Sequence, residues 1–345
     1  MIGVYLAVTP SYNELQLLER RILDNERWIH LLYDQLKRNK YIFMRSLPFY
    51  LVLLSCTFST WSHAKNLALS FDDGLNPSLN RDAKQINQHL LQQLSTAQIK
   101  SIIFPSYIKI GDTQGKSLVR EWGEQGHWIG NHSAYHQNLN KVDVTATEYI
   151  QSIQINEAIF KDLPNYVYLY RFPFLKEGDS LEKRNAVQRW LSTHHYQHGA
   201  VSIDASDWFY NLKYLAYKKT NDSNKLAQLK RAYLTHLLDR AEYYDQLALQ
   251  SIGRSPDHVL LLHTNAINGA FLSEIIAHFQ ANDWHFISAQ QAFKDPLYQG
   301  FSQNLPAGES AIWSIAKSKA ISGLRYPAED APYEQQNLEY FGLLD

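Results

Sequence analysis

Short apolar segments recur along this chain, and stretches with a helical pattern separate most of them. Strands divided by helices in this way favour a parallel sheet covered by helices. The strand candidates are residues 66–71, 101–104, 127–130, 167–171, 200–203, 258–262 and 284–287. The helical patterns cover 80–97, 116–125, 145–161, 180–195 and 268–281. Seven such units predict an α/β fold, a distorted or incomplete (β/α)7 barrel.

Two adjacent aspartates, Asp72 and Asp73, follow the first apolar segment, and the third leads to His132 and His136. In a barrel of parallel strands, the carboxyl ends of the strands form the rim where catalytic residues gather. Imidazole nitrogens and a carboxylate oxygen are ligands of catalytic zinc sites, which keep one coordination position open for water. The sequence therefore predicts a metal site formed by Asp73, His132 and His136.

Asp72 is predicted to be a base rather than a fourth ligand. Successive side chains on a strand point in opposite directions, so Asp72 does not easily bind the same ion as Asp73. At a strand end, where the chain turns at Gly74, both carboxylates can still face one cavity. Asp72 is then free to take a proton from water held at the metal.

These signals also have a simpler structural interpretation. The sequence Asp-Asp-Gly is most often a turn. A His-x-x-x-His pair is a weak signal in a chain with 14 histidines, and we expect the second such pair, His194 and His198, to lie on the surface. The catalytic interpretation therefore depends on further motifs that follow in order.

Three more groups of residues follow apolar segments. They are Tyr170-Arg171-Phe172-Pro173-Phe174, Asp207-Trp208 and Leu261-Leu262-His263. Taken singly, Arg171 fits a structural ion pair, Trp208 a core residue and His263 a buried histidine. Asp204 competes with Asp207 as the carboxylate of its group.

Taken together, the motifs resemble those of a known family. Ser70-Phe71-Asp72-Asp73-Gly74 resembles the first motif of the polysaccharide deacetylases, metal-dependent carbohydrate esterases that remove N-acetyl groups from chitin-like sugars. His132-Ser133-Ala134-Tyr135-His136 matches their second motif, and the three groups above resemble the third, fourth and fifth. The resemblance spans residues 66–290 and implies the same barrel fold.

The resemblance implies a role for each motif residue. The implied roles are general base for Asp72, metal ligand for Asp73, His132 and His136, general acid for His263, support of the base for Arg171 and orientation of the acid for Asp207. Phe174 is implied to stabilise the oxyanion through its backbone N–H, Leu261 to line the pocket for the acetyl methyl group, and Trp208 to contact substrate. The family usually has Tyr where this chain has Phe174, which removes a phenol from the edge of the site.

The implied reaction is metal-dependent hydrolysis of N-acetyl groups from an N-acetylglucosamine-containing polysaccharide, with release of acetate. Zn²⁺ is favoured by the ligand types, and Co²⁺ and Ni²⁺ are alternatives. A deacylase or amidohydrolase acting on a small amide, or a non-catalytic glycan-binding protein, are the competing interpretations. The sequence does not choose among chitin-like oligomers, a poly-N-acetylglucosamine exopolysaccharide and peptidoglycan.

Charge excludes one class of partner. The chain has 33 basic and 34 acidic residues, a formal net charge of -1, and no basic patch that would indicate nucleic-acid binding. The partner that the resemblance implies is an N-acetylated glycan, and the sequence leaves the oligomeric state open.

The N-terminal region predicts export. Met44-Arg45-Ser46 and the apolar run Leu47–Leu54 are typical of a signal peptide, and small residues favour cleavage after Ala64. Met44 is then the expected start, and the mature form, which has no stable membrane span, is periplasmic or secreted. The alternative is a membrane anchor through residues 41–58.

The domain prediction has three parts. Residues 1–64 form an N-terminal extension with the signal peptide, and residues 65–294 form the catalytic domain. Within that domain, residues 209–257 are a helical insertion, expected to be either a wall of the substrate groove or a helical decoration. Residues 295–345 form a C-terminal extension.

Overall fold

A sheet of seven parallel strands forms the centre of the computed structural model, which describes residues 65–325 and 334–344. The strands are β1 (Lys65–Asp73), β2 (Ile102–Pro105), β3 (Trp128–Asn131), β4 (Tyr166–Tyr170), β6 (Gln197–His198), β7 (His258–His263) and β8 (Trp284–Phe286). Their order is β6-β4-β3-β2-β1-β7, and β8 pairs with the first three residues of β1. Two further short strands, β5 (Lys176–Gly178) and β9 (Ala307–Gly308), form a separate antiparallel pair.

Helices follow most of the strands, as expected for a parallel sheet. They are α1 (Ala83–Thr96), α2 (Tyr107–Ile110), α3 (Thr113–Glu124), α4 (Ala146–Phe160), α5 (Leu181–Thr193), α6 (Asp207–Lys219), α7 (Ser223–Ile252), α8 (Ala266–Gln280), α9 (Ala289–Ala292), α10 (Ala311–Ser318) and α11 (Glu334–Tyr340). Single 3-10 turns span Pro173–Leu175 and Pro296–Tyr298. Local signals fix several helix ends: Thr145 and Glu148 form a capping box at the start of α4, and Gly253 ends α7 with a left-handed φ of 77°.

The segment after β6 bridges the two edges of the sheet. Gly199 N donates to Tyr170 O of β4 at 2.7 Å, and Ile203 pairs with Leu260 of β7 in an isolated parallel bridge. The regular strand expected at 200–203 is thus replaced by pairing at 197–198 and one bridge at Ile203. A Cβ on Gly199 would lie 2.8 Å from the Phe104 ring, so the chain passes this ring closely. The predicted α/β fold with a distorted, incompletely closed barrel is confirmed.

Alternation along the strands decides which side chains enter the barrel. In β1, Leu67, Leu69 and Phe71 pack in a core shared with the surrounding helices. The residues of opposite parity face the barrel interior: Ala68, Ser70 and Asp72.

The same rule applies to β7. Val259 and Leu261 belong to the inner core, so His263 shares their face at the strand's carboxyl end. His263 is the partner of Asp72 in the β1–β7 register. The catalytic candidates of the first and fifth motifs are therefore brought side by side by strand pairing alone.

Helices α6 and α7 lie in the region predicted as a helical insertion, and α10 and α11 lie in the predicted C-terminal extension. Among the described residues, no helix combines the length and the apolar character that a membrane crossing requires. Residues 1–64, with the predicted start at Met44, the cleavage site after Ala64 and the alternative anchor at 41–58, lie outside the described residues.

Candidate active site

A left-handed turn at the end of β1 directs both aspartates towards one cavity. Asp73 has a φ of 83° and Gly74 a φ of 87°, which interrupts the strict alternation of side chains at this point. A Cβ on Gly74 would lie 2.5 Å from Ile110 Cγ2, so a larger residue here would also clash with the Ile110 side chain. Asp72 and Asp73 both line the cavity as a result.

The loop after β3 presents the two histidines. Ser133 and His136 have left-handed φ values of 57° and 51°, and the two imidazole centroids lie 5.0 Å apart. Non-glycine residues adopt this region rarely, and such strain clusters at functional sites. His132 Nδ1 lies 2.8 Å from Arg171 O, so the neutral ring donates there and presents Nε2 to the cavity.

Asp73, His132 and His136 form the only group of metal-ligand type found among the described residues, with their ligand atoms within 4.8 Å of one another. Asp73 Oδ1 lies 3.1 Å from His136 Nε2 and 3.9 Å from His132 Nε2. This oxygen is buried and receives no well-directed hydrogen bond. An orphaned carboxylate oxygen facing two imidazoles fits a divalent cation.

The protonation states also suit metal binding. Burial lowers the pKa of His132 well below its ordinary value, and the neighbouring His136 adds to this effect. Burial favours a raised pKa for Asp73, but the imidazole of His136 outweighs it and holds the pKa well below the ordinary value. A neutral imidazole and an ionised carboxylate are the forms that coordinate a metal.

Asp72 is held by Arg171. Arg171 Nη1 donates to Asp72 Oδ1 at 2.9 Å, and Nη2 donates to Ser70 Oγ at 3.1 Å. Burial raises the pKa of Asp72 although the guanidinium opposes this shift. Asp72 Oδ2 lies 3.7 Å from His132 Nε2, so this oxygen faces the predicted ligands.

Asp207 orients His263 through two contacts. Its Oδ1 lies 2.6 Å from His263 Nδ1, and its Oδ2 accepts from the His263 backbone N–H at 2.7 Å. Burial alone lowers the pKa of His263, but the Asp207 carboxylate outweighs it and raises the pKa to about 10. Asp204, the competing carboxylate, is buried and interacts electrostatically with Arg171 and Arg240.

These groups line a cavity of about 350 Å³. Its walls comprise Asp72, Asp73, Lys109, His132, His136, Phe174, Leu175, Trp208, Leu261 and His263. Phe174 has a left-handed φ of 56° and lies in a one-turn 3-10 helix, whose first N–H groups have no partner within the helix. Every residue predicted for substrate contact lines this cavity, whereas residues 209–257 contribute nothing to its wall.

A family model described as polysaccharide deacetylase matches residues 61–189. This part of the chain is therefore similar to the polysaccharide deacetylases. Over 154 residues the chain is 30% identical to a peptidoglycan-N-acetylglucosamine deacetylase from Bacillus cereus, and the match covers 44% of this chain and 49% of that protein. The chain thus spans about half the length of this curated relative.

Three solved structures are also similar to this chain. The peptidoglycan deacetylase PdaC from Bacillus subtilis, solved as a mutant, matches with 18% identity and a TM-score of 0.43, over 67% of this chain and 91% of that chain. A family 4 carbohydrate esterase from Streptomyces lividans matches with 18% identity and a TM-score of 0.42, over 65% and 91%. A wild-type CE4 family pseudoenzyme from Bacillus anthracis matches with 13% identity and a TM-score of 0.46, over 67% and 66%.

Lys109 also lines this cavity, and the sequence analysis did not identify it. Its Nζ donates to Asp73 Oδ2 at 3.0 Å, while Asp73 Oδ1 faces the two histidines. The two oxygens of the carboxylate are thus divided between Lys109 and the predicted metal position. Lys109 lies in α2, just after the carboxyl end of β2, and only this position on the rim could have indicated it.

The prediction that His194 and His198 both lie on the surface is wrong for His198. His194 is exposed and stacks on Trp190 with ring centroids 4.0 Å apart. His198 is buried at the end of β6, where Nε2 lies 3.4 Å from Glu177 Oε1, and burial lowers the pKa of His198 to about 4. The two residues do not share a helix face, because α5 ends at Thr193.

Replacing His136 by Ala should abolish stoichiometric zinc binding, because it removes one of three protein ligands. Zinc content is measured on the purified protein after equilibration with excess zinc and gel filtration. His194→Ala is the matched control, since it removes an exposed histidine of the other His-x-x-x-His pair. Equal zinc content in the two variants would contradict the assignment of His136.

Proposed function

We propose that this protein hydrolyses N-acetyl groups on an N-acetylglucosamine-containing polysaccharide, releasing acetate and leaving a free amine. One observation carries the proposal: a single cavity of about 350 Å³ is lined by the Asp72 carboxylate, the His263 imidazole and the three candidate metal ligands, Asp73, His132 and His136. Amide hydrolysis needs an activated water, a base for its proton and an acid for the departing nitrogen. The relative named for peptidoglycan N-acetylglucosamine supports a substrate of this class.

Asp73, His132 and His136 are proposed to hold a divalent cation, with Zn²⁺ favoured over Co²⁺ and Ni²⁺. When bound, such an ion supplies Lewis acidity, which acidifies water and polarises a carbonyl. The division of the Asp73 oxygens leaves Oδ1 available for this ion while Lys109 holds Oδ2.

Asp72 is proposed to accept the proton of the attacking water. Its raised pKa makes it a stronger base than an ordinary carboxylate, and Arg171 fixes the orientation of its Oδ1. The backbone N–H of Phe174 is proposed to donate to the oxyanion that forms as water adds to the carbonyl. Leu261 offers an apolar wall for the acetyl methyl group, and Trp208 offers a surface for the sugar.

His263 is proposed to protonate the leaving nitrogen. Asp207 accepts from Nδ1–H, so Nε2 remains as the donor towards the cavity. With its pKa raised to about 10, His263 is protonated at neutral pH. No ligand, base or acid position of the five motifs is lost in the described residues, which argues against a non-catalytic glycan-binding role.

Acetate release from chitin oligomers, poly-N-acetylglucosamine and peptidoglycan tests the proposal directly. Release should disappear on chelation and return with zinc, and Asp72→Asn should abolish turnover while zinc still binds. Substantial turnover by Asp72→Asn would refute Asp72 as the base. Absence of release from all three polymers by the folded, zinc-loaded protein would favour a small-amide substrate or a binding role.

Asp207→Asn should shift the alkaline limb of the kcat/KM profile to lower pH by roughly 1–3 units, because a nearby opposite charge shifts a pKa by this amount. The acid must be protonated, so activity is lost as pH rises through the pKa of His263. Removing the carboxylate lowers that pKa, whereas the amide oxygen of Asn can still accept from Nδ1–H. An unchanged alkaline limb would contradict the proposal that Asp207 raises the pKa of the acid, His263.

We propose that the protein acts outside the cytoplasm, as a periplasmic or secreted protein, on the basis of the signal-peptide pattern in residues 44–64. Anchoring through residues 41–58 is the alternative. N-terminal sequencing of exported material should begin at Lys65. A sequence that begins at or before Met44 would contradict cleavage and favour the anchor.

A further inference from the structure

The C-terminal segment, residues 334–344, contacts helix α6 at its start, its first turn and its end. Ser206 Oγ, just before α6, donates to Glu334 Oε1 at 2.9 Å. Asn337 Nδ2 donates to Tyr210 Oη. Tyr217 Oη donates to Leu343 O at 2.8 Å. These contacts fix the position of α6 along its length.

The contact at Ser206 is made at the expense of an ordinary helix cap. Ser206 is the N-cap residue of α6, and serine at this position normally accepts a hydrogen bond from the first turn of its own helix. Here the hydroxyl makes no capping bond and instead donates to Glu334. The start of α6 is therefore tied to the C-terminal segment rather than capped locally.

Glu334 is itself held in place by helix α7. Its Oε2 lies 2.9 Å from His236 Nδ1, and its Oε1 lies 3.3 Å from Arg240 Nη2. All three side chains are buried. Burial tends to raise the pKa of Glu334, but His236 and Arg240 outweigh it and lower the pKa to about 2, so the group is ionised throughout the working pH range. The carboxylate thus links α6 to α7 as a fixed charge.

The residue that follows Ser206 is Asp207, which holds His263. Besides its two contacts with His263, Asp207 Oδ2 accepts from Asn265 Nδ2 at 2.9 Å and from Asn268 Nδ2 at 2.6 Å. Asp207 is thus placed by α8 on one side and by the start of α6 on the other. A shift in the first turn of α6 would change the distance between Asp207 and the His263 imidazole.

We propose that Glu334 is a positioning residue for the Asp207–His263 pair, acting through Ser206 at the start of α6. The C-terminal segment would then complete the catalytic site without touching the substrate. This inference rests on the proposed deacetylation, in which His263 serves as the acid.

The test compares Glu334→Gln with Glu339→Gln in the full chain. Both variants remove one negative charge from α11, but Glu339 is exposed, and the described structure gives it no contact with α6. Glu334→Gln should lower kcat by about 10- to 100-fold, as expected when a catalytic group is displaced by a fraction of an ångström to one ångström. Zinc content should stay at the wild-type value, since neither Glu334 nor Ser206 contacts a proposed ligand in the described structure, and Glu339→Gln should match the wild type.

A second readout does not depend on turnover. The His263 ring is titrated by NMR in the zinc-loaded protein, with its signal assigned from its absence in His263→Gln. Ser206→Ala should lower the pKa of His263. This variant changes no charge, so the shift would report movement of Asp207 rather than loss of a distant carboxylate. It also replaces Glu334→Gln if that variant fails to fold.

Wild-type kcat in Glu334→Gln, or a wild-type His263 titration in Ser206→Ala, would overturn the proposal. A drop in melting temperature without either change would indicate a purely structural contact and would overturn it equally. If the wild-type protein releases no acetate, the deacetylase assignment fails, whereas the NMR comparison still decides whether the C-terminal segment positions Asp207.

Discussion

The buried ion pair between Arg171 and Asp72 connects the strands at the carboxyl end of the barrel. Arg171 follows β4, its guanidinium donates to Asp72 and Ser70 of β1, and its Nε donates to Gly199 O after β6. The centroid of the Phe104 ring in β2 lies 4.4 Å from the guanidinium carbon. Removing one partner of a buried pair costs about 3–5 kcal/mol, because the other charge is left uncompensated. Closing the strands around Arg171 is therefore coupled energetically to placing the carboxylate of Asp72.

The pKa values of the neighbouring carboxylates Asp72 and Asp73 are shifted in opposite directions. Burial raises the pKa of Asp72, whereas His136 holds the pKa of Asp73 low. The left-handed turn at Asp73 makes this possible, because it lets both side chains face one cavity while each has its own partners. When the environments of two carboxylates shift their pKa values in opposite directions, one site can use the same residue type for two roles. Here the proposed roles are base for Asp72 and metal ligand for Asp73. Lys109 reinforces the difference by donating to Asp73 alone.

The parts of the structure that the sequence could predict are those with a local pattern. Apolar runs predicted six strands closely, and polar residues after them predicted the rim that carries Asp72, His132 and His263. Strand alternation alone would point Asp72 and Asp73 in opposite directions. A left-handed turn lets both face the cavity, and Gly74 was its only signal in the sequence.

Contacts between residues distant in the chain were not predictable in this way. Ser206 and Glu334 are 128 residues apart, and no local pattern marks either of them. The burial of His198 likewise depends on Glu177 and on the C-terminal extension. The segment after β6 is irregular because it must pair with β4 and β7 in turn while passing Phe104.

The site is assembled from two stretches of chain that contribute different chemistry. The proposed ligands and the proposed base lie within residues 61–189, which match the family model, whereas Asp207 and His263 lie beyond them. In the proposed mechanism the first stretch supplies the metal ligands and the base, and the second supplies the group that protonates the departing nitrogen. An amine leaves poorly as an anion, so the proton donor decides whether the tetrahedral adduct collapses to products or back to the amide. On this proposal, the elements that fix Asp207, namely α6, α7, α8 and the C-terminal segment, contribute to the active site as much as the proposed metal ligands do.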